Sequence, residues 1–519
     1  MGRSDLAAEY RRLGYWKPET LAGRRIELSR QDLDRVAIVD GDRALTFEDV
    51  GRLVHRLAGR LAEMGVGPGD VVSWQLPNGW EAVVVHHAAL RLGAVPNPLN
   101  AIFRARELRF VLPQARPKVL IVADRLRGFD AGPLAVSLRG ELPGLERVIT
   151  VGGAVEGAVE LEALLQAPGA APPEPPEDPS ADALLLHSSG ATGDPKGIRH
   201  SHETLLYEID SLVPMHGLTP KDRYLGGSPV SHIAGLVYGV LMPFAIGTST
   251  TFLDRWDAGR ALQAIERDAA TFQTGTPTFL QTLAAEAAGT RADVSSFRLF
   301  STGGATIPAE AIAEAGRALG CVVKRAYGST EVPTLTASFM RDPEEVRLRS
   351  DGRPIGPAEM RIAEDGEILA RSPEVFLGYA DPVLDDEAFD DDGWYRTGDL
   401  GEVDERGCLH VTGRLKDLII RGGENLSAAE IEGHLAAHPA VADVAVVGVA
   451  DAVLGERACA VVVLRPGAQL TFEAMSEYMR GREIAPQKIP ERLELRDELP
   501  RTASGKVAKA ALRDELAGT

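Results

Sequence analysis

The stretch ALLLHSSGATGDPKG, Ala183 to Gly197, decides how the rest of the chain is read. It opens as an unbroken apolar run, Ala183-Leu184-Leu185-Leu186, of the kind that forms a strand buried on both faces. It then passes at once into a loop of small and hydroxyl side chains. Ser188, Ser189 and Thr192 offer hydroxyls, Gly190 and Gly193 permit backbone angles closed to other residues, and Lys196 supplies one positive charge. Backbone N–H groups and hydroxyls so arranged curl around phosphate oxygens, and the lysine neutralises them. The spacing is neither that of a Walker A loop, GxxxxGK[ST], nor that of a GxGxxG dinucleotide fingerprint. In isolation the same residues also suit a plain tight turn.

Upstream of the loop the pattern alternates between helix and strand. Phe47, Val50, Leu53, Leu57 and Leu61 recur at steps of three and four, which predicts an amphipathic helix over Phe47 to Met64. Gly65, Gly67, Pro68 and Gly69 end it. Val71 to Leu76 reads as a strand, Glu81 to Gly93 as a helix, and Val119 to Val122 as a second buried strand. Such alternation implies a mainly parallel α/β sheet. Gln166 to Ser180 carries six prolines and is read as a loop or linker. Downstream, a break falls near Gly413 to Asp417. Beyond it the order is helix (Ser427 to Ala437), strand (Val444 to Val449), strand (Ala458 to Leu464) and helix (Thr471 to Arg480). That is a unit of about 100 residues, a normal domain size.

Composition narrows the function. Among 519 residues, 75 acidic against 56 basic side chains give a net charge of −19, which argues against general nucleic-acid binding. Only nine of the basic residues are lysines, so each lysine is a better candidate for work that suits a compact point charge. Three cysteines, Cys321, Cys408 and Cys459, stand far apart without CxxC spacing, so a reducing compartment is expected. The N-terminal MGRSDLAAEYRRLGYW has no apolar signal-peptide core, and a cytoplasmic location is expected. Ser231 to Leu253 has no Asp, Glu, Lys or Arg. Its histidine, proline, glycines and Thr/Ser run predict a buried helix, a turn and a strand, and not a membrane span.

Four further segments follow the loop. They are YGSTE (Tyr327 to Glu331), WYRTGDLG (Trp394 to Gly401), GRLKDLIIRGGENLSAAEIE (Gly413 to Glu432) and PRTASGK (Pro500 to Lys506). With the loop, they resemble in order and spacing the signatures of the adenylate-forming superfamily: acyl- and aryl-CoA ligases, stand-alone adenylation domains and firefly-type luciferases. The resemblance spans essentially the whole chain. It implies a large N-terminal α/β domain, 1–414, of mixed and parallel sheets flanked by helices. A small mobile α+β domain, 415–519, would follow. Ala191 stands where the family loop has a threonine, and Arg325 where it usually has an amide or glutamate before the tyrosine.

The resemblance also implies roles. Ser188, Ser189, Gly190, Thr192, Gly193 and Lys196 would attend the phosphates of ATP. Gly303, Gly304 and Ala305 with Tyr327, Gly328 and Ser329 would hold the adenine. Thr330 would lie beside the phosphate, Glu331 would bind Mg2+, and Asp399 would accept the ribose hydroxyls with Arg414 nearby. Lys506 would reach the carboxylate and the α-phosphate. Lys416 would be the hinge, and Gly422 and Gly423 would line a tunnel for the pantetheine arm of coenzyme A. His232, in the segment SPVSHIAG, would line both the acid pocket and that tunnel. Thr276, Pro277, Gly303, Ala326 and Pro333 would complete the pocket.

No charged residue stands among those pocket positions, so an apolar alicyclic, aromatic or short- to medium-chain carboxylic acid is expected. The start EYRRLGYW and the string RAYGSTEVPT most resemble cyclohexanecarboxylate- and aryl-acid-type CoA ligases. The activity implied is an AMP-forming acid–CoA ligase. The alternatives are loading of a carrier protein in trans, a luciferase-like monooxygenase, and a non-catalytic nucleotide-binding protein. The oligomeric state, monomer or homodimer, stays open.

Overall fold

A computed structural model describes residues 2–29, 33–166, 169–188, 195–304, 308–421, 424–451, 453–482, 484–502 and 506–517. Among these residues the largest sheet has nine strands. Its centre is a parallel run formed by Val36–Asp40, Ser249–Phe252, Arg223–Gly226, Phe272–Gly275, Leu299–Thr302 and Val322–Tyr327. A second sheet is all parallel and contains Val71–Gln75 and Val119–Ala123. Two smaller antiparallel sheets follow, one joining Asp182–His187 to Gly197–Ser201 and Gly378–Tyr379, the other joining Tyr395–Val403 to Leu409–Arg414. From Leu418 onward, five strands and the helices Ala428–Ala436, Phe472–Arg480 and Lys509–Ala517 form a separate α+β layer with its own apolar core.

The expected helix after the first hairpin spans Phe47–Glu63. It starts there because Thr46 accepts from the Asp49 N–H at 3.1 Å while Asp49 accepts from the Thr46 N–H at 3.1 Å, a closed capping box. Phe47, Val50, Val54, Leu57 and Leu61 are buried on one face. The proline-rich strand of chain after Gln166 is irregular, as composition suggests. It is nevertheless held down. Gly59 faces the Ala170 carbonyl so closely that a Cβ there would sit 2.0 Å from the oxygen, and Thr20 donates to the Pro176 carbonyl at 3.1 Å.

The uncharged run from Ser231 resolves into helix Ile233–Leu236, a π turn Val237–Leu241, helix Met242–Ile246 and strand Ser249–Phe252. The π turn was not legible in the sequence, because it combines a proline with a partner from the next strand. Pro243 has no N–H to return to the Gly239 carbonyl four residues back. The Thr250 hydroxyl donates to that carbonyl instead, at 3.1 Å. His87 Nε2 lies 2.9 Å from the Val240 carbonyl. Among the described residues no helix is long and apolar enough to cross a membrane.

One buried polar layer supports the YGSTE segment from below. The helix His202–His216 carries Glu208, which is 2% exposed and accepts from the Thr334 hydroxyl at 2.6 Å. Glu374, also 2% exposed, accepts from the Ser372 hydroxyl. Burial, with mutual repulsion added, pushes Glu208 up to about 8, and burial pushes Glu374 up to about 7. The folded chain therefore keeps protons that the unfolded chain releases above its ordinary carboxylate range. Stability drawn from these groups is full in mild acid and is lost as pH rises through 7 and 8. Glu208→Gln should thus gain stability relative to wild type between about pH 5 and about pH 8. Urea unfolding at the two pH values measures it, and an equal difference at both would contradict the assignment.

Candidate active site

The strand Asp182–His187 and its antiparallel partner Gly197–Ser201 flank the glycine-rich loop in the chain. The loop's neck is closed by two bonds: Ser188 N–H to the Lys196 carbonyl and Lys196 N–H to Ser188 Oγ, each 3.0 Å. Ser189, Gly190, Thr192 and Gly193 lie outside the described residues, as do Ala305, Gly422 and Gly423. Lys196 Nζ sits 4.7 Å from the centre of the Tyr379 ring. The Tyr379 hydroxyl in turn donates to Glu331 Oε1 at 3.1 Å. The lysine and the carboxylate are thus brought to two sides of one tyrosine. Tyr379 was not singled out from sequence. It arrives by strand pairing, opposite Ile198.

The YGSTE segment is a rigid turn. The Ser329 hydroxyl accepts from the N–H groups of Glu331 and Val332 at 3.2 and 3.3 Å, and Ser329 N–H bonds the Val332 carbonyl at 2.9 Å. Gly328 must be glycine, because a Cβ there would lie 2.0 Å from the Pro333 carbonyl oxygen. His200 Nε2 lies 2.8 Å from the Thr330 carbonyl. Burial holds this imidazole down near 4, so it is neutral and donates through Nε2. Glu331 keeps its second carboxylate oxygen free of hydrogen bonds and ion pairs among the described residues.

Asp399 is the most enclosed carboxylate of the cleft, at 4% exposed. Its Oδ2 accepts from the Tyr327 hydroxyl at 2.8 Å, and its Oδ1 is paired with Arg414, its cross-strand neighbour. Arg414 was expected near Asp399 and is paired with it; Tyr327, expected at the nucleotide base, is tied to the same carboxylate. Arg325 is likewise engaged, by Asp351 at 2.7 Å.

Lys506 is anchored by two contacts: Arg501 bridges Val507, and the Thr502 N–H bonds the Lys506 carbonyl at 2.7 Å. Its side chain lies over Gly304, where a Cβ would come within 3.0 Å of Lys506 Cε. Gly304 has φ +79°, a conformation that favours glycine. Burial and repulsion from Arg414 lower the ammonium's pKa, while Asp399 and Glu331 oppose that shift. Five of the sequence candidates, Gly304, Glu331, Asp399, Arg414 and Lys506, therefore share one electrostatic neighbourhood.

His232 adjoins it. Burial and the charge of Lys506 hold the imidazole down near 4, and Asn100 Nδ2 lies 3.4 Å from its Nε2. Asn100 carried no sequence signal. Thr276 and Pro277 open the helix Pro277–Ala288, with proline at the first turn where no N–H is needed. The Thr276 hydroxyl is buried without a partner. Gly303 packs so tightly that a Cβ would lie 2.5 Å from the Ala326 carbonyl oxygen. Pro333 contributes its carbonyl to the Gly328 contact described above. Lys416 stands apart from the cluster, exposed in the turn Leu415–Asp417, where its carbonyl accepts from Arg513 at 3.3 Å.

Tyr327→Phe removes one partner from a carboxylate that has little access to water. We expect a loss of about 1–3 kcal/mol in stability, read from urea unfolding. An unchanged midpoint would mean that Asp399 does not depend on that bond.

Two family models match the chain in succession. The family model "AMP-binding enzyme" matches residues 27–380, and "AMP-binding enzyme C-terminal domain" matches residues 430–506. The medium-chain fatty-acid–CoA ligase of Escherichia coli (strain K12) is 32% identical over 524 residues, covering 98% of this chain and 92% of that protein. A salicyl-AMP ligase / salicyl-S-ArCP synthetase of Mycobacterium tuberculosis (strain ATCC 25618 / H37Rv) is 35% identical, covering 99% and 94%. The crystal structure of ATP-bound MatB from Rhodopseudomonas palustris superposes with a TM-score of 0.85 at 28% identity, covering 96% of this chain and 99% of that one. A family model that matches residues 27–380, together with relatives more than 30% identical over nearly the whole chain, shows that the chain belongs to the AMP-binding enzyme family.

Proposed function

We propose that the chain is an AMP-forming carboxylic acid–CoA ligase with two functional units, 1–414 and 415–519. The observation that carries the proposal is Lys506 seated over Gly304 in the neighbourhood of Asp399 and Glu331. A lysine from the last sheet layer reaches a cleft built by the first 414 residues. Joining a carboxylate to the α-phosphorus of ATP forces two anions together, and a positioned cation lowers the barrier to that approach.

In this reading the carboxylate oxygen attacks the α-phosphorus, the bond to pyrophosphate breaks, and an acyl-adenylate forms. Lys506 neutralises charge at the reacting oxygens. Lys196 and the loop from Ser188 through Ser189, Gly190, Thr192 and Gly193 hold the departing phosphates. Thr330 lies beside the phosphate. Tyr327, Gly303, Gly304, Ala305, Gly328 and Ser329 frame the adenine, and Asp399 with Arg414 orients the ribose. Glu331 suits Mg2+, a hard cation that takes oxygen ligands and keeps its waters, because one of its oxygens remains unpaired. When bound there, the ion would neutralise phosphate charge.

A thiol then attacks the acyl carbon and AMP leaves. Lys416, exposed between the two units, is the proposed hinge, and Gly422, Gly423 and His232 line the proposed path of the pantetheine arm. The pocket made by His232, Thr276, Pro277, Gly303, Ala326 and Pro333 offers a neutral imidazole and no charged side chain. That supports an uncharged acyl group. ATP as the nucleotide is supported by the match to ATP-bound MatB, and an acyl-CoA product by the match to the medium-chain ligase. The match to a salicyl-S-ArCP synthetase favours a second reading, transfer to a carrier-protein thiol in trans. The three cysteines are free and two are buried, which supports the proposed cytoplasmic location.

ATP–pyrophosphate exchange with a panel of aliphatic, alicyclic and aromatic acids, repeated with coenzyme A and mass detection, tests this. We expect exchange with a subset of apolar acids and an acyl-CoA of matching mass. Exchange without acyl-CoA, but with thioester on a supplied carrier protein, would select the second reading. No exchange with any acid would overturn both.

A further inference from the structure

Arg25 lies on the helix Leu21–Ser29, in a different part of the first unit from the nucleotide cleft. It is 5% exposed, its Nε is sealed from solvent, and it makes no hydrogen bond or ion pair among the described residues. A guanidinium stays charged in a protein, and a buried charge without a counter-charge costs several kcal/mol. Arg91 stands close by at 8% exposed; among the described residues its side chain donates to the Pro173 carbonyl, and the charge of Glu174 acts on it without a direct ion pair. Burial and the field of Arg91 bring the Arg25 guanidinium down to about 10, which leaves it charged at neutral pH. A second cation beside Arg25, itself offset only at a distance by Glu174, raises the cost further.

Both arginines line one cavity of about 440 Å³. That volume falls within the range of small-molecule sites, about 300–1,000 Å³. The helix Phe47–Glu63 leaves room for the guanidinium at Gly51, where a Cβ would lie 3.9 Å from Arg25 Nη1. Ile26, Phe47 and the 43%-exposed Leu33 give the cavity an apolar wall. Glu48 and Glu174 also line it, and Arg52 at its edge is already paired with Asp49 at 2.6 Å. Those two carboxylates oppose a polyanion such as a nucleotide or pyrophosphate. A single planar oxyanion fits the fork of Arg25, and an apolar body fits the wall behind it.

We propose that this cavity is a second ligand site, separate from the nucleotide cleft, for a small apolar monocarboxylate held head-in against Arg25 and Arg91.

Calorimetric titration of the full chain with octanoate in phosphate-free buffer tests the site. Octanoate also suits the proposed acyl pocket, so the readout is the number of sites. We expect two in the wild type and one in Arg25→Met, the lost site weakened about 10- to 100-fold by removal of a charged hydrogen-bonding group. If the proposed function is wrong and the acyl pocket does not exist, the wild type shows one site and Arg25→Met none. Arg25→Lys keeps the charge without the fork and should weaken the site less than Met does. Unliganded Arg25→Met should melt at or above the wild-type temperature, because an apolar side chain removes an unpaired buried charge. Unchanged stoichiometry and affinity in Arg25→Met would overturn the proposal. So would a site that answers to inorganic phosphate and not to octanoate, or an unliganded Arg25→Met that melts well below the wild type.

Discussion

The site depends on bringing one ammonium group, Lys506, into a partly enclosed cleft beside another cation. Desolvation and Arg414 both act against the charge of that lysine, while Asp399 and Glu331 act for it. A charge held in this balance is well suited to meet further anions, because each negative group that enters the cleft improves its surroundings. The net charge of −19 sharpens the point. An acidic surface gives no general steering toward anionic substrates, so affinity must come from a few placed cations.

Rigid support makes that placement possible. Tyr327 and Arg414 hold Asp399 from two sides, and Thr397 accepts the Asp399 N–H at 3.1 Å. Beneath the YGSTE turn, His200 reaches the Thr330 carbonyl and Glu208 takes the Thr334 hydroxyl. These groups come from the strand Gly197–Ser201 and the helix after it, so the strand pair that flanks the glycine-rich loop and the turn that carries Glu331 are mechanically joined. The lysine is the exception. Among the described residues it is the charged group of the cluster that comes from the last layer, beyond the exposed turn at Lys416.

Most of what was legible in the sequence is local in the chain. The helix Phe47–Glu63 shows in its spacing and its Thr46–Asp49 cap. The YGSTE turn folds from neighbouring residues, with Ser329 accepting from the Glu331 and Val332 N–H groups, so it is visible in order. The unread part of the site is non-local. Tyr379 reaches Glu331 only because Gly378–Tyr379 pairs with Ile198 and Arg199, and Asn100 reaches His232 from a connection more than a hundred residues earlier. The π turn at Val237–Leu241 needed Thr250 to answer a carbonyl that Pro243 left open. Arg25 is the reverse case. In sequence it is one of many arginines, and only its burial without a partner sets it apart.

Splitting the reaction into its halves in Lys506→Ala tests the central claim most directly. Adenylate formation is followed by pyrophosphate release from ATP and acid, and thioester formation by supplying the finished acyl-adenylate with coenzyme A. A lysine that serves only the first half, and is withdrawn for the second, predicts loss of pyrophosphate release with thioester formation largely intact. Equal loss of both halves, or full adenylation without Lys506, would contradict it.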